Sequence, residues 1–395
     1  MPGRDMCCPP RRVRRGAALT IVFAGVLAAG AATGSFGAPG PVDSAGAGDR
    51  PVSIEHSAPT GHHEDVAEAA AEALAEGKSA TEAAERAVSR SGDRWGAVYS
   101  EGEYEAFEEA LDGEYTGVGL GARRERDGRI EVSRVRAGSP AARAGIREGD
   151  RLRTVDGRDV DGRPVTEVVS LLRGDDHDAA AGTAVTVGLE RDARAWSETL
   201  RRARLSTDPV TVRETAAGVT VVRVAAFTKG SGELVRAAVD RARADTGIVL
   251  DLRGNSGGLV AEAVTAASAF LDGGLVATYD VDGDQRALHA EPGADISRPL
   301  VALVDGGTMS AAELLTGALQ DRGRAVVVGS RTFGKGSVQM PGRLPDGSVA
   351  ELTVGHYRTP SGREVDGRGI TPDLETDEDA LRRAETVLSG LGAPS

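Results

Sequence analysis

The sequence predicts an α/β protein, with a layered α/β core, an inserted β-rich domain and a helical N-terminal segment. Three observations support this fold class. From residue 210 onward, apolar strand patterns alternate with helical patterns, as in layered α/β folds. Residues 112–207 instead carry short strand patterns and turn signals, and residues 64–111 are rich in Ala and Glu, which favour helix.

The amino terminus predicts export. Four arginines between residues 11 and 15 precede an uncharged apolar run that ends near residue 32, a pattern typical of a signal peptide. The run is also near the lower length limit for crossing a membrane. Residues 1–37 are therefore either a signal peptide or a membrane anchor, and both interpretations place the remaining chain outside the cytoplasm, in the cell envelope or secreted.

Composition excludes several classes of function. The chain has 395 residues and a formal net charge of −13, so it lacks the basic surface that nucleic-acid binding requires. Cys7 and Cys8 both precede the apolar run, which leaves the exported part without a thiol nucleophile or a cysteine metal ligand. We expect no cofactor and no metal.

Two helical segments flank the predicted domains. Residues 38–63 are rich in Gly, Pro, Ala and Ser and are predicted to be a disordered linker. A helix is expected over 64–91, with a break at Gly77, and a C-terminal helix and tail over 376–395. The segments 64–91 and 376–390 are candidates for pairing two chains into a homodimer.

The elements of residues 112–207 follow from local signals. Val132 and Val135 suit a short strand, and Ser139 is expected to cap a short helix that has proline at its first position. The dipeptide Asp156-Gly157 predicts a hairpin turn. An amphipathic helix is expected over 165–174 and a strand over 184–190.

This order of elements resembles a PDZ domain, above all in the stretch SPAARAGIREGDRLRTVDG. The resemblance implies that an extended peptide adds to a strand edge and that backbone N–H groups hold its terminal carboxylate. The loop implied for the carboxylate lies in GVGLGA and contains Gly117, Val118, Gly119 and Leu120. The alternative is a small β-rich spacer with no ligand.

The core is predicted over residues 208–375 from seven segments. Strands are expected in VTVVRVAAF, IVLDLRGNSGG, LVALVDGG and AVVVG, and helices in GELVRAAVDRARADTG, LVAEAVTAASAFL and SAAELLTGALQDRG. Ligands of such folds bind in the loops at the carboxyl ends of the strands. We therefore expect the functional residues in the loops that follow these strands.

Lys335 is the first candidate. The stretch from Gly329 to Lys335 is one residue short of a phosphate-binding P-loop, and neither a Ser or Thr nor a helical pattern follows the lysine. Only three of the 47 Lys plus Arg residues are lysines. Unlike arginine, a buried lysine can lose its proton near neutral pH and act as a base. This favours a lysine base over a surface charge.

Ser310 is the candidate nucleophile. Taken alone, Ser310-Ala-Ala-Glu313 is better explained as a capping box at a helix start. A serine at that position nevertheless has helix N–H groups beside it, which can stabilise an oxyanion. The turn DLRGNSGG at 251–258 could provide a second N–H donor.

At this point the sequence resembles the carboxyl-terminal processing peptidases. The resemblance spans residues 95–373 and rests on SAAELLTGALQDRGRAVVVGSRTFGKGSVQ, LDLRGNSGG, GVTVVRVAAF and the PDZ-like stretch, in the family's order. Members of this family are serine endopeptidases that use a Ser–Lys dyad. The sequence departs from the family at Asp305, where an asparagine is common, and has fewer serines before the nucleophile.

The resemblance assigns a role to each matching residue. Ser310 is implied as the nucleophile and Lys335 as the general base, with Gln339 orienting the lysine and Asp321 in a supporting role. The amide of Ala311 and one glycine of the 257–258 pair, here taken as Gly257, are implied as the oxyanion hole. No histidine lies in a recognisable triad motif.

The function implied is that of an exported serine endopeptidase that cleaves unstructured chains or C-terminal tails presented by its PDZ domain. One alternative is a PDZ peptide-binding scaffold on a core that has lost catalysis. Another is a hydrolase of small acyl substrates, which the PDZ-like stretch disfavours because such substrates have no chain end to bind.

Overall fold

The computed structural model describes residues 61–391, except 126, 175–179, 244–245, 282–283 and 377–378. The predicted signal peptide or anchor (1–37), most of the predicted linker and residues 392–395 lie outside the described residues. Residues 61–63, expected in the linker, instead begin the first helix. Among the described helices, none has both the length and the apolar character needed to cross a bilayer.

The described chain divides into two compact units. One comprises Thr116–Leu205, and the other comprises the described residues before and after it. The second unit is therefore built from two separate stretches of chain.

The N-terminal stretch is helical, as predicted. Its elements are α1 (Gly61–Ala75), α2 (Ala80–Ser91), β1 (Ala97–Tyr99), α3 (Glu101–Leu111) and β2 (Glu114–Gly117). Ser79 caps α2 by accepting a hydrogen bond from the Glu82 N–H. Ser100 and Glu103 form a reciprocal capping box at the start of α3.

The unit Thr116–Leu205 is built around an antiparallel sheet. Its elements are β3 (Leu120–Arg124), β4 (Ile130–Val135), α4 (Pro140–Arg143), β5 (Arg151–Val155), β6 (Arg158–Asp159), α5 (Val165–Arg173), β7 (Ala184–Arg191) and β8 (Arg194–Arg201). The strand order is β3-β4-β5-β7-β8, with β6 paired to β5. Strand β3 is an edge of this sheet, and α5 packs beside it. Strand β9 (Ala203–Ser206) then pairs with β2.

Local signals predict this unit well. Ser139 accepts a hydrogen bond from the Ala142 N–H, with Pro140 at the first helical position. Asp156 and Gly157 have φ angles of 47° and 75° in the β5–β6 turn, which fits a type I′ hairpin.

The remaining elements of the second unit follow residue 206. They are β10 (Val210–Glu214), β11 (Thr220–Val224), α6 (Ser231–Arg241), β12 (Ile248–Asp251), α7 (Val260–Ala267), β13 (Leu275–Val281), β14 (Asp284–His289), β15 (Leu300–Val304), α8 (Ala311–Asp321), β16 (Val326–Gly329), β17 (Ser337–Arg343), β18 (Val349–Arg358), β19 (Leu374–Glu375) and α9 (Ala380–Leu391).

Six of these strands form one layered sheet, and four of them, β11, β12, β15 and β16, were predicted from the sequence. The order is β10-β11-β12-β15-β16-β19, with β11 to β19 parallel. Alternate residues of the buried strands face opposite sides. Leu250 packs with α6, α7 and α8 on one face, whereas Val249 packs with α9 on the other.

A second sheet of five strands was not predicted from the sequence. It has the order β1-β18-β13-β14, with β17 also paired to β18, and all of its pairings are antiparallel. Helices α1 and α2 pack on Ala350 and Leu352 of β18. Because the apolar faces of α1, α2 and α9 are covered by their own chain, the expected pairing of these helices with a second chain has no support.

Candidate active site

Three neighbouring parallel strands end at the candidate site. The turn 254–258 follows β12, Ser310 follows β15 and Lys335 follows β16. Backbone hydrogen bonds tie the loops together, from Met309 N–H to the Asn255 carbonyl (2.9 Å) and from Phe333 N–H to the Thr308 carbonyl (3.0 Å). The carboxyl ends of a parallel sheet thus gather the residues that the sequence places far apart.

Ser310 has an unusual backbone. Its φ and ψ angles are 51° and −118°, which is costly for a residue with a Cβ atom and is often found at functional sites. An ordinary N-cap residue is extended. The Glu313 carboxylate accepts from the Ser310 N–H, as in the predicted capping box. Ser310 therefore starts the helix as predicted, but with backbone angles that an ordinary N-cap does not have.

Glu313 fixes the backbones of both candidate residues. Its Oε2 accepts hydrogen bonds from the N–H groups of Ser310 (2.9 Å) and Lys335 (2.8 Å). Its Oε1 accepts from Gly334 N–H (2.7 Å) and from the Thr332 hydroxyl. Burial raises the pKa of this carboxyl group, and the four hydrogen bonds act in the opposite direction.

Tyr357 makes a second bridge between the same backbones. Its hydroxyl lies 3.0 Å from the Ser310 carbonyl oxygen and 3.1 Å from that of Lys335. Two side chains from different elements, α8 and β18, therefore hold the serine and lysine main chains in a fixed relation.

Lys335 is the buried member of the three lysines. It is 1% exposed, whereas the side chains of Lys78 and Lys229 are 66% and 72% exposed and lie near carboxylates. Strand β17, not a helix, follows Lys335, which is consistent with rejecting the P-loop. Burial lowers the pKa of the Lys335 amine to about 8, against the opposing effect of Glu351, Asp93 and Asp366.

The Lys335 amine is directed toward Trp95. Its Nζ lies 5.3 Å from the centre of the Trp95 ring, within the range of a cation–π contact. The hydrogen bonds of the described residues include none between Nζ and the Ser310 hydroxyl. The backbones of Ser310 and Lys335 are thus held close together, but the serine hydroxyl and the lysine amine do not form a hydrogen bond with each other.

Gln339 lies in the same buried region. Its Nε2 donates to the Trp95 carbonyl oxygen, and its Oε1 is buried without a hydrogen-bond partner. Gln339 pairs with Thr353 across β17 and β18, and Thr353 in turn binds Asp93.

Asp321 lies away from these groups. It ends the 11-residue helix α8, which places it about 16 Å along the helix from Ser310. Its carboxylate accepts hydrogen bonds from Ser361 and Arg363. These are the contacts of a residue that anchors the loop after β18.

The implied oxyanion hole is assembled only in part. Gly257 lies so close to Ser310 that an added Cβ would sit 3.0 Å from the Ser310 Cβ. However, the Gly257 N–H already donates to Asn255 Oδ1 at 2.8 Å, so it is not free for an oxyanion. The N–H groups of Ala311 and Gly258 form no hydrogen bond among the described residues.

Asp305 can perform the role of the asparagine it replaces. Its Oδ1 accepts from the N–H groups of Gly254 and Gly307, both at 2.9 Å. Since only an acceptor oxygen is used, aspartate and asparagine are equivalent in this turn.

An apolar pocket adjoins Ser310. Most of the side chains that line it are apolar or aromatic: Val260, Tyr279, Leu288, Leu314, Val338 and Tyr357, with Ser337. The pocket has room for about one water molecule, so in this conformation it is too small for a substrate side chain.

Sequence reasoning missed three side chains of this site. Trp95 lies just before β1, and Glu351 and Tyr357 lie on β18, and neither of these strands was predicted from the sequence. Glu313 was recognised, but only as a helix cap. One usable signal was present, since Trp95 is one of just two tryptophans.

The predicted carboxylate loop can be described within the unit Thr116–Leu205. The carbonyls of Val118 and Gly119 accept from the N–H groups of Ala141 (3.0 Å) and Arg136 (2.9 Å). Their own N–H groups form no hydrogen bond with described residues. Leu120 begins β3, the edge strand beside α5, and Gly117 ends β2.

Comparison with known proteins identifies both domains. The profile of peptidase family S41 matches residues 218–376, and that of a PDZ domain matches residues 131–180. The chain is 34% identical over 304 residues to carboxyl-terminal-processing peptidase 3, chloroplastic, of Arabidopsis thaliana, an alignment covering 72% of this chain and 58% of the relative. It is 30% identical over 290 residues to the carboxy-terminal processing protease CtpA of Bacillus subtilis (strain 168), covering 72% and 61%. The chain thus spans about three-fifths of the length of these curated relatives.

Solved structures support the same assignment. The photosystem II D1 C-terminal processing protease is 28% identical, with a TM-score of 0.51 over 85% of this chain and 98% of that one. An S41 protease from Bacteroides fragilis, at 18% identity and a TM-score of 0.51 over 77% and 88%, shares the fold. The predicted fold class and the resemblance are confirmed: the chain belongs to peptidase family S41 and carries a PDZ domain.

Proposed function

We propose that this chain is a serine endopeptidase that cleaves unstructured protein chains or C-terminal tails. Ser310 would be the nucleophile and Lys335 the general base. One observation carries the proposal: a fully buried lysine whose backbone is joined to that of a strained helix-terminal serine through Glu313 and Tyr357. Its lowered pKa, about 8, suits a base that works near neutral pH.

The reaction needs Lys335 in its neutral form. Its Nζ would take the proton of the Ser310 hydroxyl while the Oγ atom attacks the carbonyl carbon of the scissile peptide. The resulting oxyanion would be held by the Ala311 N–H and by a second backbone donor, for which the free N–H of Gly258 is better suited than that of Gly257. When the C–N bond breaks, the leaving amine takes the proton from Lys335. Water then hydrolyses the acyl-enzyme with the same base.

Supporting roles are assigned by contact. Gln339 would orient Lys335, as the family resemblance implies, and its unpaired Oε1 is available to accept from the amine. Asp321 would act only through the loop that it anchors.

The PDZ domain would select the substrate. The free N–H groups of Val118 and Gly119, in the loop Gly117–Leu120, could bind a terminal carboxylate, while the open edge of β3 pairs with the peptide. Export to the cell envelope or beyond, by a signal peptide or an N-terminal anchor, belongs to the same proposal. It rests on the sequence of residues 1–37.

The test uses an unfolded reporter protein made with apolar or charged C-terminal residues. We expect the chain to cleave it, and Ser310→Ala and Lys335→Met to lose at least about a thousandfold in kcat/KM. Full activity in either variant would reject the assigned role. If the unaltered chain binds the tails, measured by fluorescence anisotropy, without cleaving them, the catalytically silent scaffold is correct.

A further inference from the structure

A buried carboxylate lies in the site without a role in the proposed reaction. Glu351 is 0% exposed and belongs to β18, where it pairs with Ala97 of β1 and with Pro341 of β17. Thr353, two residues further on the same face of the strand, pairs with Gln339. Glu351 and Gln339 therefore belong to one buried polar cluster.

Both residues present an unpaired oxygen. Glu351 Oε1 and Gln339 Oε1 are buried without a hydrogen-bond partner. The other oxygen of Glu351 has only a long contact of 3.4 Å with the Tyr99 hydroxyl. A buried acceptor without a donor destabilises the fold, so two of them in one cluster indicate a missing donor.

The Lys335 ammonium is the matching donor. It carries three N–H bonds, and the ion pairs within 4 Å of the described residues include none of its own. Its Nζ lies 5.3 Å from the centre of the Trp95 ring. The Trp95 carbonyl oxygen in turn accepts a hydrogen bond from Gln339 Nε2. Glu351 is the carboxylate with the largest electrostatic effect on Lys335.

We propose that Glu351, with Gln339 and Trp95, forms a resting site for the protonated amine of Lys335, and that Glu351 is its counter-ion. In this resting state the amine is held away from Ser310. Loss of one proton removes its attraction to Glu351 and frees the neutral amine to turn to the Ser310 hydroxyl. The second step rests on the proposed function, whereas the pairing of Glu351 with Lys335 does not.

The other charged groups around Lys335 are already engaged. Asp93 accepts from the Thr353 N–H (2.7 Å) and hydroxyl (2.8 Å). Asp366 accepts from Trp95 Nε1 and Gly336 N–H, both at 3.1 Å. Glu313 binds backbone N–H groups, and Tyr357 binds backbone carbonyls. Oδ2 of Asp366 also has no hydrogen bond with the described residues, but Asp366 is only half-buried. Among these groups in the described part of the chain, Glu351 is the one that keeps a fully buried oxygen without a partner.

The positions of the two pKa values fit a pair that titrates together. Burial raises the pKa of Glu351 to about 7, with Lys335 opposing this rise. Burial lowers that of Lys335 to about 8, with Glu351 opposing that fall. The sign of the test follows, because removing the negative charge of Glu351 destabilises the ammonium and must lower the pKa of Lys335 further.

The experiment titrates the lysine directly by NMR. The chain has three lysines, so labelling with 13Cε-lysine gives three signals, and Lys78 and Lys229 are internal references. The titration is made in Ser310→Ala, which prevents self-cleavage. Adding Glu351→Gln should lower the Lys335 pKa by about one unit or more, whereas Glu351→Asp, which keeps the charge, should give a smaller fall.

A matched control removes a charge elsewhere. Glu105 is exposed on α3, and Glu105→Gln should leave the Lys335 titration unchanged. A Lys335 pKa that moves by less than about 0.3 unit in Glu351→Gln would overturn the proposal. If Glu351→Gln does not fold, Gln339→Met removes the other free oxygen and should also lower the Lys335 pKa; no shift there would be equally decisive.

Activity separates this proposal from the peptidase assignment. In the chain with Ser310 intact, Glu351→Gln should move the alkaline rise of kcat/KM to lower pH by the same amount as the NMR pKa. A shift in the NMR titration without any cleavage by the parent chain would reject the peptidase function and support the resting site. Cleavage by the parent chain, with no change of the Lys335 pKa in Glu351→Gln, would support the peptidase function and reject the resting site.

Discussion

At the scale of single residues, the proposed chemistry depends on the burial of one amine. Arginine provides nearly every positive charge of this chain, and Lys335 is the buried lysine among three. Its pKa of about 8 lies well below that of a lysine in water because the charged form has lost its hydration. The burial of Lys335 therefore lowers its pKa far enough for the proposed base to lose its proton near neutral pH.

This burial predicts a pH profile. With a pKa of about 8, roughly one tenth of the Lys335 amine is neutral at pH 7 and nine tenths at pH 9, so kcat/KM should rise about tenfold across this range. The rise must go toward alkaline pH because only the neutral amine is a base. It can be measured with a quenched peptide at constant ionic strength, with circular dichroism to confirm folding at each pH. A flat profile would contradict a titrating lysine base.

At the scale of elements, the site depends on β18. This strand carries Glu351 and Tyr357. It pairs with β17, which positions Gln339, and with β1, which begins two residues after Trp95. A β-strand aims alternate residues at opposite faces, so one strand can present Glu351 to the lysine while Leu352 packs against α1 and α2.

Tyr357 tests this arrangement. Tyr357→Phe removes the hydroxyl that contacts the carbonyls of Ser310 and Lys335. The Ser310 carbonyl keeps two backbone N–H donors, so stability should fall by only about 1 kcal/mol. Because the serine and lysine backbones then lose one of two bridges, kcat should fall about tenfold with little change in KM. Tyr104→Phe is a suitable control, since Tyr104 is also largely buried but packs against the rings of Tyr99 and Phe107. Equal effects in both variants would mean that the Tyr357 bridge has no specific role.

At the scale of the whole molecule, the PDZ unit is inserted into the chain of the peptidase unit. Residues before Thr116 and after Leu205 form one unit, and the early stretch provides Trp95 and Asp93 beside the lysine. The catalytic unit is therefore incomplete without the chain on both sides of the insertion.

A pair of glycine variants tests the substrate role of the PDZ unit. Gly119 and Gly138 have φ angles of 80° and 71°, but an added Cβ would lie 2.2 Å from Ser139 Cβ at Gly119 and would contact nothing at Gly138. Gly119→Ala should therefore distort the carboxylate loop, whereas Gly138→Ala brings only the backbone strain. We expect Gly119→Ala to raise the KM for tailed protein substrates at least about tenfold while cleavage of short peptides is kept. A KM unchanged from that of Gly138→Ala would remove the loop from substrate binding.

Much of the layered core and of the PDZ unit could be predicted because the signals are local. In the core, Val249 and Leu303 lie in continuous apolar runs. In the PDZ unit, Ser139 caps a helix and Asp156-Gly157 forms a turn through contacts with neighbouring residues. The five-stranded sheet could not, because β17 contains Pro341 and Gly342 and β18 is interrupted by Gly355. Such residues are depleted in strands, and only pairing with distant strands explains why these segments are extended.

The sequence by itself determined the family, the two domain types, and the identities of Ser310 and Lys335 as the residues to examine. Short motifs and rare residue types, such as lysine in this chain, can be recognised from the sequence alone. Only the tertiary structure decided what surrounds them: Glu313 binds both backbones, Gly257 has its N–H engaged, Trp95 lies beside the lysine amine, and Glu351 is buried without a partner for one oxygen. Proton affinity depends on burial and on charges brought close by folding, and neither can be read from the order of residues along the chain.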